Sequence, residues 1–270
     1  SDILKVKVRH EKRKSLESLK SVAWAPINWL DANFLAPEIP LIHIDIKFKH
    51  LQKIQQKRNE AIAKGRLKQG LDDYVPASIR IKDRIVKVKM RLKGDHTDHL
   101  QGNKWSFRIH VKGKDHLFGM RRLSIQNPQV RNYEAEPLFF KALRHEGIVS
   151  PRYFFIEVAI NGNNIGLMAV EEHFSKELLE SQGHRESVII KFNEYLVHEE
   201  ANGANGIFPI TSSFKNVDIQ AFGIKNIMRS KTLSTQLEIS RGLIRGFQTG
   251  GILASDVFDP EIMGRFLALS

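Results

Sequence analysis

Three successive stretches between residues 77 and 112, ASIRIK, IVKVKMRLK and WSFRIHVK, alternate apolar and polar side chains residue by residue. Such alternation commits a chain to half-buried β-strands, because successive side chains leave opposite faces of the pleat. Lys82-Asp83-Arg84 reads as a hairpin turn, so the stretches form a meander. Ile79, Ile81, Val86, Val88, Met90 and Leu92 then point into a core. Arg80, Lys82, Lys87, Lys89, Arg91 and Lys93 are left together on the opposite face.

Further elements surround this meander. Residues 1–22 read as a basic, loosely amphipathic appendage, ending before Trp24-Ala25-Pro26. Pro37 and Pro40 bracket a turn into LIHIDIKF, whose alternation puts Ile42, Ile44 and Ile46 on one face of a strand. A surface helix follows over 49–64, with Gly65 placed to stop it. The pattern predicts a helix over 133–146, a second hairpin around Asn161-Gly162-Asn163-Asn164, and a strand SVIIKF ending at 192. A long polar loop spans 193–213, and helical patterns follow at 231–247 and 260–269. Three regions result: a basic appendage at 1–40, an α+β domain at 41–192, and a loop and helical segment at 193–270.

Charge divides the chain more sharply than hydropathy does. Residues 1–125 hold 28 basic and 13 acidic side chains, net +15, whereas residues 126–270 hold 14 and 17, net −3. An anionic partner is therefore expected at the first half, whether nucleic acid, an anionic surface or a phosphorylated small molecule. The absence of cysteine excludes disulfide staples, thiolate catalysis and Cys-ligated zinc. No run approaches the roughly 18 apolar residues that a membrane-spanning helix needs.

Candidate chemistry clusters near the end of the basic strand. Arg91-Leu92-Lys93-Gly94-Asp95 opens a polar loop before the strand at Trp105, a flap whose backbone amides and cations can lie over phosphates. Asp95, His96, Asp98 and His99 have metal-ligating chemistry but an unspecific spacing, which favours loop capping and solvation. Lys104 and Arg108 share the polar face of WSFRIHVK, while Trp105, Phe107 and Ile109 fall on the core side. That separation argues against a nucleic-acid sheet, which exposes aromatics beside its cations. Glu134 and Glu136 open the helix at 133–146 after Arg131; acids are ordinary there, yet a glutamate on a helix beside a basic strand can also hold a phosphate-binding cation. Glu171 and Glu172, adjacent on a strand, point to opposite faces and so do not form an acid/base pair. No nucleophile elbow, Walker lysine motif or dinucleotide fingerprint occurs.

Taken in order, RLKGD, KWSFRIHVK, LFGMRRLSIQNPQVRNYEAEPLFFKALRHEGI, SPRYFFIEVAINGNNIGLMAVEEHFSKELLE and VIIKF resemble the spore-coat-protein-H (CotH) family of atypical, protein-kinase-like proteins over about residues 77–192. The resemblance implies an α+β fold, an antiparallel sheet with packed helices like a protein-kinase N-lobe, followed by a mostly helical part that ends early. It also implies ATP and Mg as cofactors and phosphorylation of protein Ser or Thr, with a coat or envelope protein as the substrate and an extracytoplasmic, spore-coat or cell-envelope setting. Arg91, Lys93 and Gly94 would belong to the loop covering phosphates. Lys104 or Arg108 would reach the nucleotide phosphates, Glu134 or Glu136 would orient that cation, and Glu171 would sit at the strand-to-hinge corner. The catalytic and metal-binding aspartates of such kinases match nothing here, and the chain ends inside the helix DPEIMGRFLAL. The expectation is a fragment of a longer protein. The alternative expectation is a non-catalytic module whose basic face holds an acidic protein, a surface polyanion or nucleic acid.

Overall fold

The computed structural model of the chain describes residues 39–192 and 217–270, and the elements below belong to the unit Leu41–Ser270. The appendage at 1–38 and the loop at 193–213 lie outside the described residues. Seven strands form a closed barrel: β1 (Leu41–Asp45), β2 (Val75–Ile81), β3 (Arg84–Leu92), β4 (Phe107–Val111), β5 (Arg122–Gln126), β6 (Tyr153–Ile160) and β7 (Asn163–Glu172). Their order around the wall is β1-β2-β3-β4-β5-β7-β6, all neighbours antiparallel except β1 and β6, which run parallel and close the barrel.

The closure corrects the expected kinase-like sheet. Its cause is β1. Ile42, Ile44 and Ile46 are buried as the alternation requires, but both edges of the strand are paired, to β2 through Ile44↔Ile79 and to β6 through Ile42↔Val158. A strand used on both edges leaves no open edge, which removes the unpaired backbone groups that an open sheet must manage.

The interior is packed by the predicted apolar faces. Val86, Val88, Met90, Leu92, Phe107 and Ile109 are buried, joined by Leu123 and Ile125 of β5. Complete burial of each such side chain contributes about 1.5–3 kcal/mol. At one end of the barrel, buried Glu172 receives Arg152 through Nε at 2.8 Å and Nη2 at 2.6 Å. That bidentate pair gives an inward-facing carboxylate the partner it requires.

Helix α1 (Phe48–Ala63) turns Ile54 and Ala61 inward, and Gly65 follows it at φ +67°. Helix α2 (Ala135–His145) precedes β6, and α3 (Lys176–Ser181) follows β7. Beyond these, β8 (Ile190–Phe192) and β9 (Ile219–Ala221) pair antiparallel, followed by α4 (Ile224–Ile227), α5 (Lys231–Gln248), α6 (Ala254–Val257) and α7 (Pro260–Leu269). Ile219, Ile227, Leu233, Leu237 and Ile244 form a second, smaller core there. Among the described residues no helix is long and apolar enough to cross a membrane.

Candidate functional site: a buried cation ladder on the barrel wall

With the apolar side chains of β3, β4 and β5 turned inward, their polar side chains share the outer wall, and strand register sorts them into rows. The first row joins Lys87 to Ser78 of β2 and, just past β4, to Lys112, whose backbone N–H donates to Lys87 O. The second joins Lys89, His110 and Arg122. The third crosses five strands as Arg91, Arg108, Ser124, Glu171 and Tyr153. The fourth brings Lys93 beside Ser106 and Gln126. Same-face rows along a strand are about 6.6–6.8 Å apart.

Burial deepens along this ladder. Lys87, Lys89 and Lys112 are exposed, Arg91 and Arg108 are half-buried, and Lys93 is 7% exposed. Lys93 Nζ donates to Gln126 Oε1 at 2.5 Å and pairs with the Glu171 carboxylate. Burial pushes the Lys93 ammonium below its ordinary pKa, and the Glu171 charge opposes that shift. Gln126 is fully buried, and its side-chain amide interacts with the Tyr153 hydroxyl. Burial pushes the Tyr153 pKa up to about 12, and the Gln126 interaction opposes that shift.

Arg108 differs from Lys93 in having no carboxylate within ion-pair distance among the described residues. One of its Nη1 hydrogens goes to His173 Nδ1 at 2.7 Å, and its Nε is buried without a partner. His173 is held neutral: burial, then the charges of Arg108 and Arg122, push it down to about 3. Burial also lowers the Arg108 guanidinium from its ordinary value. Nearby Arg91 lies over the Tyr74 ring at 5.1 Å and donates to Gln69, and its Nε too is buried and unpartnered. His110, whose Nε2 meets the Tyr74 hydroxyl at 3.1 Å, is pushed down to about 4 by burial and by Arg122.

Beside the second row opens a cleft of about 430 Å³. Its barrel side is Lys89, His110 and Arg122; its other side is Phe222, Ile227 and Leu233 of the C-terminal elements; Phe174 and Ser175 stand at the junction with Glu177, which feels the charge of Arg122, and Glu186, which Lys176 pairs. His173, directly after β7, joins both sides, bonded to Arg108 and stacked edge-on against Phe222 with ring centroids 5.4 Å apart.

Of the residues singled out from sequence, Arg91, Lys93, Arg108 and Glu171 converge on the third and fourth rows. Glu136 of α2 faces the same group. Burial and the Glu171 charge raise its pKa, Arg131 Nε stands 3.7 Å from its Oε1, and its Oε2 is unpartnered. The others lie elsewhere. Lys104 donates to Leu167 O at 3.1 Å, beyond the Lys93 row. Glu134 is exposed and forms no ion pair with a described cation. Gly94 packs: its φ is +108°, its carbonyl accepts from Gln69 Nε2 at 2.6 Å, and a Cβ there would lie 2.5 Å from the His99 ring. Glu171 and Glu172 do face opposite ways, to Lys93 and to Arg152. His99 is buried against Ser106 Oγ at 3.0 Å, and among the described residues no group of three or more His, Asp or Glu stands close enough to hold a metal ion.

Sequence reasoning missed Gln126, His173 and Tyr153. Gln126 and Tyr153 carry no charge signal. His173 could have been flagged by its place immediately after the strand end EEH, where a barrel strand hands over to the next layer. No protein-family model and no curated protein matches this sequence.

Proposed function

We propose that the outer wall of the barrel binds the phosphates of a nucleoside triphosphate, ATP, in the service of phosphoryl transfer to protein Ser or Thr. One observation carries the reading. Arg108 is a half-buried guanidinium whose hydrogen-bonded side-chain partner is a neutral imidazole, and the carboxylate whose charge favours it most, Glu171, is in contact with Lys93 instead. A half-buried cation that no carboxylate touches is incompletely solvated, and burial accordingly lowers the Arg108 pKa. A bound anion removes that deficit, and a phosphate oxygen is the acceptor that suits a planar guanidinium. Arg108 and Arg91 would present the guanidinium edges of half-buried side chains to the anion, while Glu171 and Gln126 hold Lys93 at its edge. The adjoining cleft, with Phe174, Phe222 and Leu233, offers an apolar wall to a base. The Mg implied by the family resemblance finds no ligand set of three or more His, Asp or Glu among the described residues.

Arg108→Met separates binding from folding. It removes a half-buried cation that no described carboxylate contacts and keeps the apolar bulk, so the melting temperature holds or rises. Calorimetry with ATP should give a saturable isotherm for the native chain and at least a tenfold weaker one for Arg108→Met. Phosphoryl transfer is then read as label from γ-labelled ATP appearing on Ser or Thr of an added dephosphorylated protein. Absence of ATP heat at millimolar concentration, or an unchanged affinity in Arg108→Met, overturns the reading.

A further inference from the structure

The buried rows account for a phosphate site but not for the exposed rungs that continue the same ladder outward. Lys87, Lys112 and Lys89 stand on adjacent rows and lead to half-buried Arg122 at the cleft. None of the four forms an ion pair with a described carboxylate, although Glu177 in the cleft feels the charge of Arg122, whereas Arg84, at the start of β3, is paired with Asp115. Asp45 lies in register with Ser78, on the far side of β2 from Lys87. A scattered lysine is ordinary surface; a registered, unpaired column that descends into a cleft is a directional electrostatic path.

We propose that Lys87, Lys112, Lys89 and Arg122 form a docking surface for an acidic, extended polypeptide segment that leads into the cleft. Alternate side chains of an extended peptide lie on one side about 6.6–6.8 Å apart, the same repeat as the rows of the wall. Carboxylates at every second position therefore meet successive rungs. Recognition is through side chains alone, since the closed barrel offers no strand edge for a peptide to extend.

The wall disfavours the other polyanions. A single-stranded nucleic acid needs exposed aromatic faces among the cations for its bases. Beside the exposed rungs the Tyr74 ring is covered by Lys89 at 5.2 Å, by Arg91 at 5.1 Å and by the His110 ring at 4.7 Å, and the Phe174 and Phe222 rings lie within the cleft, enough for one base but not interleaved with Lys87 and Lys112. A bilayer needs a protruding basic face with apolar residues that insert, and this column sinks into a cleft instead.

The test uses the full chain and three fluorescent probes: a peptide of about a dozen alternating Glu and Ser residues, a single-stranded oligonucleotide, and anionic phosphatidylserine vesicles. Anisotropy should show the peptide bound most tightly at low salt, with affinity falling as salt rises. The double variant Lys87→Glu/Lys112→Glu should weaken the peptide at least fivefold while its ATP affinity stays within about twofold of the native chain. Peptide affinity unchanged in that variant, or an oligonucleotide or vesicle bound more tightly than the peptide, overturns the proposal. Lys87 and Lys112 are not part of the phosphate grip, so loss of peptide binding with ATP binding intact, or the reverse, tells the failure of one proposal from that of the other.

Discussion

His173 concentrates much of the site's electrostatics in one ring. Its Nδ1 accepts from Arg108, which requires a neutral imidazole with its proton on Nε2, and burial enforces that state by holding the pKa at about 3. The unfolded chain restores an ordinary value near 6.5. Between pH 6.5 and about 3 the unfolded state therefore binds more protons, so stability falls as pH falls through that window, by at most about 1.4 kcal/mol per pH unit for this group. His110, pushed down to about 4, works in the same direction from 6.5 downward. His173→Gln keeps an acceptor for Arg108 and deletes the titration. Thermal melts from pH 7 to 4.5 should show a shallower loss in the variant than in the native chain; parallel curves would mean that His173 does not stay neutral in the fold. This residue also marks a limit of sequence reading. A lone His after two glutamates gives no sign that it meets an arginine 65 positions earlier, because that contact exists only once β5 and β7 have paired.

At the scale of elements, alternation located β1, β2, β3 and β4, the turn at Asn161–Asn164 located β6 and β7, and the apolar faces that alternation assigned are the ones packed in the core. The helices predicted at 49–64, 133–146, 231–247 and 260–269 are seen at Phe48–Ala63, Ala135–His145, Lys231–Gln248 and Pro260–Leu269. The strand β5 was not legible. RLSIQ is short and sits in a run of mixed polarity, and Leu123, Ser124, Ile125 and Gln126 are all buried, so it shows no solvated face to set against an apolar one. The barrel's closure was equally hidden, since periodicity reports faces and not which strands are neighbours. The loop after β3 carries its own test. Gly94 was expected to bring backbone near a phosphate, and in the fold it packs closely against His99. Gly94→Ala combines a φ that L-residues rarely adopt with a 2.5 Å contact on the ring. Urea denaturation should show a loss of at least about 2 kcal/mol, in the range of backbone strain plus overpacking; a loss below about 0.5 kcal/mol would mean that the loop repacks freely.

Among the described residues of the unit Leu41–Ser270, two cores of unequal size meet at the cleft. The barrel core gathers 24 buried apolar side chains, mostly from strands bonded on both edges, whereas the C-terminal core has five, under a two-stranded sheet. Opening free energy follows such burial, so α5 and β9 should open without the barrel. Native-state hydrogen exchange should place amides of α5 and β9 at opening free energies at least about 2 kcal/mol below those of β3 and β4. Uniform protection at the global value would instead make the unit Leu41–Ser270 a single cooperative block. The same experiment bears on the site. Leu233 of α5 and Phe222 beyond β9 line the cleft opposite Lys89 and Arg122, so a ligand that spans it draws its affinity from both cores. Anything that binds the closed cleft and not the open one must raise the opening free energy of the weaker core. Saturating ATP should therefore slow exchange in α5 and β9 more than in the barrel strands, and Arg108→Met, tested alongside, should remove that slowing without altering the exchange of the unliganded chain.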